Sequence, residues 1–297
     1  MSASGFVAAV GRALDAGASA MTWEKVARAR GAGYFQRHSE DVDDFGFDPR
    51  FDAAVQPFFE LLYTLWWRVE AFGIENVPAE GGAIIVANHS GVLPWDGLMI
   101  NLAVRHEHPA RRQCRLLALD MFALLPFFAP FLARTGAVRA NPENGERLLR
   151  RGELIGVFPE GVRGVGKPYR DRYKLARFGR GGFVRLALRT GAPIVPCAII
   201  GAEEVHPKIG GMDWVGKPLG LPFFPITPTF PALGPLGLVP LPSKWSIEFA
   251  EPVAVDQHGP DGADDPILVS RLSEQVRGTV QQMLDRRLAR RQSPWFG

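Results

Sequence analysis

Residues 83–96 read AIIVANHSGVLPWD, and residues 153–163 read ELIGVFPEGVR. Ala83 to Ala87 is a short apolar run between Gly82 and Asn88, the pattern of a strand buried on both faces. Glu153 to Phe158 reads the same way. Outward from these two, strand alternates with helix. Arg115 to Leu119 and Gly136 to Arg139 read as strands, and Asp96 to Val104 as a helix. Asn141-Pro142 is an N-cap with proline at the first helical position. Gly182 to Thr190 reads as a helix closed by Gly191 at its C-cap, followed by the strand Pro193 to Ile200. Strands that alternate with helices imply an α/β fold with a mostly parallel central sheet flanked by helices.

The flanks differ in character. Residues 1–50 read as polar and helical, then as loop. In 57–72 (PFFELLYTLWWRVEAF) the apolar residues leave only a narrow polar stripe of Gln56, Glu60, Thr64 and Arg68. Such a helix is either buried on most sides or lies in a membrane interface. Residues 121–133 (MFALLPFFAPFLA) and the Pro/Gly-rich excursion 216–243 are also apolar. Trp245 to Phe249 alternates as a late strand, and a last helix begins near Asp265-Pro266. The expected organisation is an N-terminal helical, membrane-associating segment over 1–74. A single domain over 75–297 then includes the apolar loop and the C-terminal helix.

Composition excludes little but sets bounds. Of 297 residues 46% are hydrophobic and 22% charged, and the net charge is +3. That balance belongs to a globular protein and does not call for nucleic acid. Two cysteines, Cys114 and Cys197, provide neither a disulfide framework nor metal-ligand spacing, which fits a reducing compartment. No charge-free run reaches the ~20 residues of a spanning helix. The C-terminal cluster of Arg286, Arg287, Arg290 and Arg291 suits either anionic headgroups or a solvated helix end.

In open α/β sheets, sites form at the carboxyl ends of strands. There, His89 is followed by Asp96, a base and a carboxylate able to fix its tautomer and activate a hydroxyl. The second strand end offers Glu160, Gly161 and Arg163, with Arg139 at the end of a neighbouring strand. Glycine permits close backbone approach, and arginine presents a planar fork to phosphate. No G-x-S-x-G elbow accompanies them, which argues against a serine hydrolase of lipids or thioesters.

These blocks resemble a known family. Asn88-His89 with Asp96, Gly136 to Arg139, Phe158 to Arg163 and Ile194-Val195-Pro196 stand in the order and approximate spacing of the four motifs of glycerolipid acyltransferases, the lysophosphatidate-acyltransferase-like group. The resemblance covers roughly residues 75–255. It implies His89 as catalytic base, Asp96 as its partner, and Arg139, Glu160, Gly161 and Arg163 at the acceptor. It also implies acyl-CoA or acyl-carrier protein as co-substrate, no metal and no bound cofactor. The implied acceptor is a lysophospholipid such as lysophosphatidate, met by peripheral contact at the cytoplasmic face of a membrane. Residues 181–205 are similar to the monoacylglycerol and diacylglycerol acyltransferase-like branch, which leaves a neutral lipid or long-chain alcohol open as acceptor.

One departure stands out. The family spaces its histidine and aspartate by four residues; here six intervene, and Pro94 occupies the usual carboxylate position. Either the loop lets Asp96 reach His89, or another group orients the imidazole.

Overall fold

A computed structural model describes residues 41–90, 93–118, 128–212 and 224–297. From Asp43 onward they belong to one compact unit. Helix α1 (Pro49–Leu61) is capped by Asp48, whose carboxylate accepts from the N–H groups of Arg50 and Phe51 and pairs with Arg134 at 2.8 Å. A wider helical turn, Leu62–Trp66, continues it. Arg68, at φ +47°, then turns the chain into β1 (Glu70–Phe72). The order continues β2 (Ala83–Ala87), α2 (Trp95–Glu107), β3 (Cys114–Ala118), α3 (Phe128–Arg134), β4 (Val138–Arg139), α4 (Pro142–Arg150) and β5 (Leu154–Val157). After these come α5 (Val162–Val165), α6 (Gly182–Thr190), β6 (Ile194–Ile200), β7 (Gly210–Gly211), β8 (Pro225–Ile226), β9 (Ser246–Phe249) and α7 (Pro266–Leu288).

Among the described residues, seven strands form one sheet in the order β1-β9-β6-β2-β5-β3-β4. All pairs are parallel except β6 with β9. Every residue of β2 and β6 is buried, as their unbroken apolar sequences require. Alternation divides β2 between two cores. Ala83, Ile85 and Ala87 join Trp67, Met99 and Trp245 on one face. Ile84 and Val86 join residues of α4, α6 and α7 on the other. The result is an α/β sandwich of three layers. Trp67 and Trp245, both fully buried, stack at 4.7 Å. Their indole N–H groups reach Leu241 O and Ser243 Oγ at 3.0 Å, so burial leaves neither donor unpaired.

Two expectations change. The 57–72 segment is not one helix, because its last three residues are an edge strand paired with β9. The helical segment expected before residue 75 therefore shares the compact unit from Asp43 on. The C-terminal arginines largely serve the fold. Arg286 and Arg287 pair with Glu248 at 2.6 and 2.5 Å, and Arg291 pairs with buried Glu204 at 2.6 Å. Residues 1–40, 121–127 and 216–223 of the segments read above lie outside the described residues.

Strand direction decides what gathers at one edge. The carboxyl ends of β2, β3, β4, β5 and β6 share it. Since β9 opposes β6 with Ser246 beside Ile200, and Glu70 pairs with Ser246, the amino ends of β9 and β1 reach it too.

Candidate active site

His89 leaves β2 at that edge. Asn88 fixes the departure point: its side chain accepts from Ile199 N at 2.7 Å and donates to Ile199 O at 2.9 Å. The imidazole stacks on Phe158, the residue after β5, at 4.6 Å. Asp96 sits in the first turn of α2 with no exposed surface. Its Oδ2 lies 2.7 Å from His89 Nδ1 and also accepts from Ser90 N at 2.9 Å. Oδ1 accepts from Gly97 N at 2.8 Å. The first turn of a helix favours a carboxylate. A carboxylate only accepts, so Nδ1 carries the proton and the Nε2 lone pair is left to act as base. Of the two arrangements the sequence left open, the structure has the one in which Asp96 reaches back across the longer spacer.

Glu160 has a different place from the one expected. It is 4% exposed. Oε1 accepts from the His89 N–H at 3.1 Å. Oε2 accepts from Ala176 N at 2.7 Å and meets Lys167 Nζ at 3.3 Å. Both oxygens are thus occupied by protein, and Glu160 braces the loop that carries His89. Lys167 also pairs with Glu203 at 3.2 Å. Burial raises the Glu203 carboxyl to about 7. Gly161 adopts φ +54° and ψ −142°, a region essentially confined to glycine. Three residues on, a Cβ at Gly164 would lie 2.8 Å from Glu160 Cβ and 3.1 Å from His89 Cβ. The loop packs directly behind the histidine.

Two cavities adjoin there. An apolar groove of about 380 Å³ is lined by His89, Leu116, Leu132, Phe158, Phe183 and Leu186, among others. A more polar cleft of about 710 Å³ runs from Pro159 and Gly161 to α7 and carries Arg163, Arg177, Arg180 and Arg185. Both include Gly161, Gly179, Arg180 and Arg185. Of the expected site residues, His89, Asp96, Glu160 and Gly161 come together, and Arg163 faces the cleft. Arg139 is exposed and lines neither cavity, although its neighbours Ala140 and Asn141 line the groove.

A family model described as Acyltransferase matches residues 68–200, the span holding all four motifs. An uncharacterized protein of Mycobacterium tuberculosis is 52% identical over 257 residues, covering 86% of this chain and 72% of that protein. A Gallus gallus protein named DGAT1/2-independent enzyme synthesizing storage lipids is 30% identical over 235 residues, covering 76% of this chain and 64% of that one. The crystal structure of the 1-acyl-sn-glycerophosphate acyltransferase PlsC from Thermotoga maritima shares the fold. Its TM-score is 0.50 at 21% identity, covering 82% of this chain and 80% of that one.

Over residues 68–200 the chain is similar to the acyltransferase family. The groove that opens at His89 is lined mainly by apolar side chains. The residues that sequence reasoning passed over are Lys167, Gly164, Arg177 and Arg180. Lys167 and Gly164 sit within seven residues of Glu160, where a buried glutamate at a strand end already asks for a cation partner. Arg177 and Arg180 flank Gly179 ahead of α6, and only the tertiary fold brings them against α7.

Proposed function

We propose that the chain transfers a fatty acyl group from a thioester, acyl-CoA or acyl-carrier protein, to the hydroxyl of a lysophospholipid such as lysophosphatidate. The observation that carries this is the His89–Asp96 pair opening onto an apolar groove. His89 Nε2 takes the proton of the acceptor hydroxyl as its oxygen attacks the thioester carbonyl. Asp96 stabilises the imidazolium so formed. On collapse of the tetrahedral intermediate, the imidazolium returns the proton to the departing thiolate, leaving an ester and a free thiol. Arg163, beside Gly161, supports a phosphate on the acceptor.

A second reading, a neutral acylglycerol as acceptor, draws support from the names of the storage-lipid relatives and from the placement of Arg139 outside both cavities. Purified protein supplied with radiolabelled oleoyl-CoA and, in turn, lysophosphatidate, monoacylglycerol and diacylglycerol separates the two. Acylation of lysophosphatidate supports the first reading. Labelled product from the neutral lipids alone replaces it with the second, and no transfer to any of them refutes both.

The acceptors live in bilayers, so we place the protein peripherally at a membrane, at its cytoplasmic face. No described helix is long and apolar enough to cross one. The edge of the sheet that holds His89 also holds exposed apolar side chains. Leu65 is 70% and Leu236 74% exposed, and the two segments are tied by Trp66 Nε1 donating to Pro240 O at 2.9 Å.

A further inference from the structure

The polar cleft holds more positive charge than one acceptor phosphate needs. Arg163, Arg177 and Arg180 are exposed, line it and make no ion pair with any described residue. Arg185 lines it as well, while donating to Ala263 O. Two carboxylates face it, Glu160 and Glu274. The first is occupied by His89 N, Ala176 N and Lys167, and the second by Arg277 at 2.8 Å. The cleft therefore presents a surplus of guanidinium groups.

Two further features border the cleft. The N-cap of helix α6 is Gly181, which has φ +73° and no side chain to cap the helix. A Cβ there would lie 2.4 Å from Val269 Cγ1 of α7, so glycine is required for the two helices to meet. The first N–H groups of α6 have no side-chain cap, as at any uncapped helix start. Opposite, Ser273 of α7 lines the cleft. It is 4% exposed, and its hydroxyl has no hydrogen-bond partner. Buried hydroxyls ordinarily have one. The volume lies within the range of small-molecule and cofactor sites, and the groove and cleft share Gly179, Arg180 and Gly181 in their linings.

Resting on the acyltransferase reading, we infer that the outer part of this cleft, bounded by Arg177, Arg180 and Ser273, holds the phosphorylated nucleotide end of a coenzyme A donor, while its acyl chain follows the groove past His89. Coenzyme A carries a pyrophosphate and a 3′-phosphate, which match several arginines. A lysophosphatidate carries one phosphate, which Arg163 can meet alone.

Calorimetry with desulfo-coenzyme A and with adenosine 3′,5′-bisphosphate tests the site without turnover. Wild type binds both. The double variant Arg177→Ala, Arg180→Ala weakens both by about tenfold to a hundredfold, as loss of charge-assisted hydrogen bonds implies. Lysine at both positions restores part of the affinity. Ser273→Ala weakens both ligands severalfold without lowering Tm, because it removes a buried hydroxyl that lacks a partner. In turnover, wild type prefers acyl-CoA to its 3′-dephospho form, the double variant does not, and KM for lysophosphatidate is unchanged. A double variant that raises KM for lysophosphatidate while leaving nucleotide binding intact overturns the assignment in favour of the acceptor headgroup. Wild type that binds neither nucleotide yet transfers acyl from another thioester overturns the cleft and leaves the activity standing. Nucleotide binding lost in the variants, with no transfer to any acceptor, supports the cleft and removes the proposed activity instead.

Discussion

Asp96 Oδ2 lies 2.7 Å from His89 Nδ1 although six residues separate them. The contact exists because α2 begins at Trp95, so its first turn presents Asp96 back toward the end of β2. The same oxygen accepts from Ser90 N, which ties the loop to the pair. Replacing Asp96 by Asn keeps the shape and removes the charge that stabilises an imidazolium. Turnover should fall by about 10²–10⁴-fold, with donor binding unchanged by calorimetry. His89→Ala should fall at least as far. A variant retaining more than a tenth of wild-type kcat would disprove the assignment.

Lys167 holds two buried carboxylates apart, Glu160 at 3.3 Å and Glu203 at 3.2 Å. Lys167→Met leaves them facing each other without a cation. Breaking a buried pair in this way costs about 3–5 kcal/mol, read as a lower denaturation midpoint. Glu160→Gln is a subtler test. An amide oxygen can accept from His89 N or from Ala176 N, but its NH₂ group cannot accept from the other. The histidine loop shifts, kcat falls, and KM for both substrates stays close to wild type. Equal losses in kcat and in donor affinity would show instead that Glu160 contacts substrate.

The fold was legible where physics acts over a few residues. AIIVA at 83–87 is β2 to the residue, and Asn141-Pro142 caps α4. Strand β1 was hidden because Glu70 to Phe72 follows a helical apolar pattern without a break. Only Arg68 at φ +47° and the partner strand β9 convert it. At the site, His89 and Glu160 were visible as polar residues at strand ends. The direction in which Glu160 faces was not, since it depends on Ala176 and Lys167 from a later loop. Arg177 and Arg180 stood in the sequence as ordinary surface charges, and α7 is what turns their neighbourhood into a cleft.

Two glycines near the base should separate strain from crowding. Gly161 has open space around its missing Cβ but an unusual backbone, φ +54° and ψ −142°. Gly161→Ala should cost roughly 1–3 kcal/mol of stability. Gly164 lies in a regular turn, and its Cβ would press on both Glu160 and His89. Gly164→Ala should spare most stability and reduce kcat. Thermal melts paired with initial rates distinguish the two, and the reverse pattern would contradict this account of the loop.

Glu203 and His206 share a small cavity with Lys167, Tyr169 and Lys208, and they titrate in opposite senses. Burial raises Glu203 from 4.5 to about 7 and lowers His206 from 6.5 to about 4. A raised carboxyl favours the fold at low pH, and its contribution is lost as pH rises from 4.5 to about 7. A lowered imidazole favours the fold at high pH, and its contribution is lost as pH falls from 6.5 to about 4. Between 4.5 and 6.5 the native state holds the glutamate proton while the unfolded chain holds the histidine proton, so the two slopes cancel. Glu203→Gln should uncover a loss of stability on acidification, relative to wild type, of about 1.4 kcal/mol per pH unit. His206→Gln should uncover the opposite slope. Urea melts between pH 4.5 and 7 measure both, and parallel curves for all three proteins would rule out the shared origin.

Membrane contact is the prediction that depends most on topology. The carboxyl ends of β2 to β6 and the amino ends of β1 and β9 lie at one edge, so His89 and the 65–68 and 240–245 segments face the same side. Arg68 hydrogen-bonds Trp295 O at 2.5 Å, which brings the exposed side chains of Trp295 and Phe296 to that side as well. Seating this edge on a bilayer would bury Leu65 and Leu236 beside the site, each worth up to about 1.5–3 kcal/mol. The double variant Leu65→Glu, Leu236→Glu should lower partitioning into phosphatidylcholine vesicles by about two orders of magnitude or more. It should leave Tm unchanged, because both side chains are exposed. Binding to neutral vesicles should survive 1 M salt, since Arg286, Arg287 and Arg291 are already engaged by Glu248 and Glu204 and apolar contacts are not screened. Flotation that requires anionic lipid and is stripped by salt would move the contact to exposed basic residues such as Arg290. Wild type that stays with the soluble fraction for every vesicle would remove the membrane from the proposal.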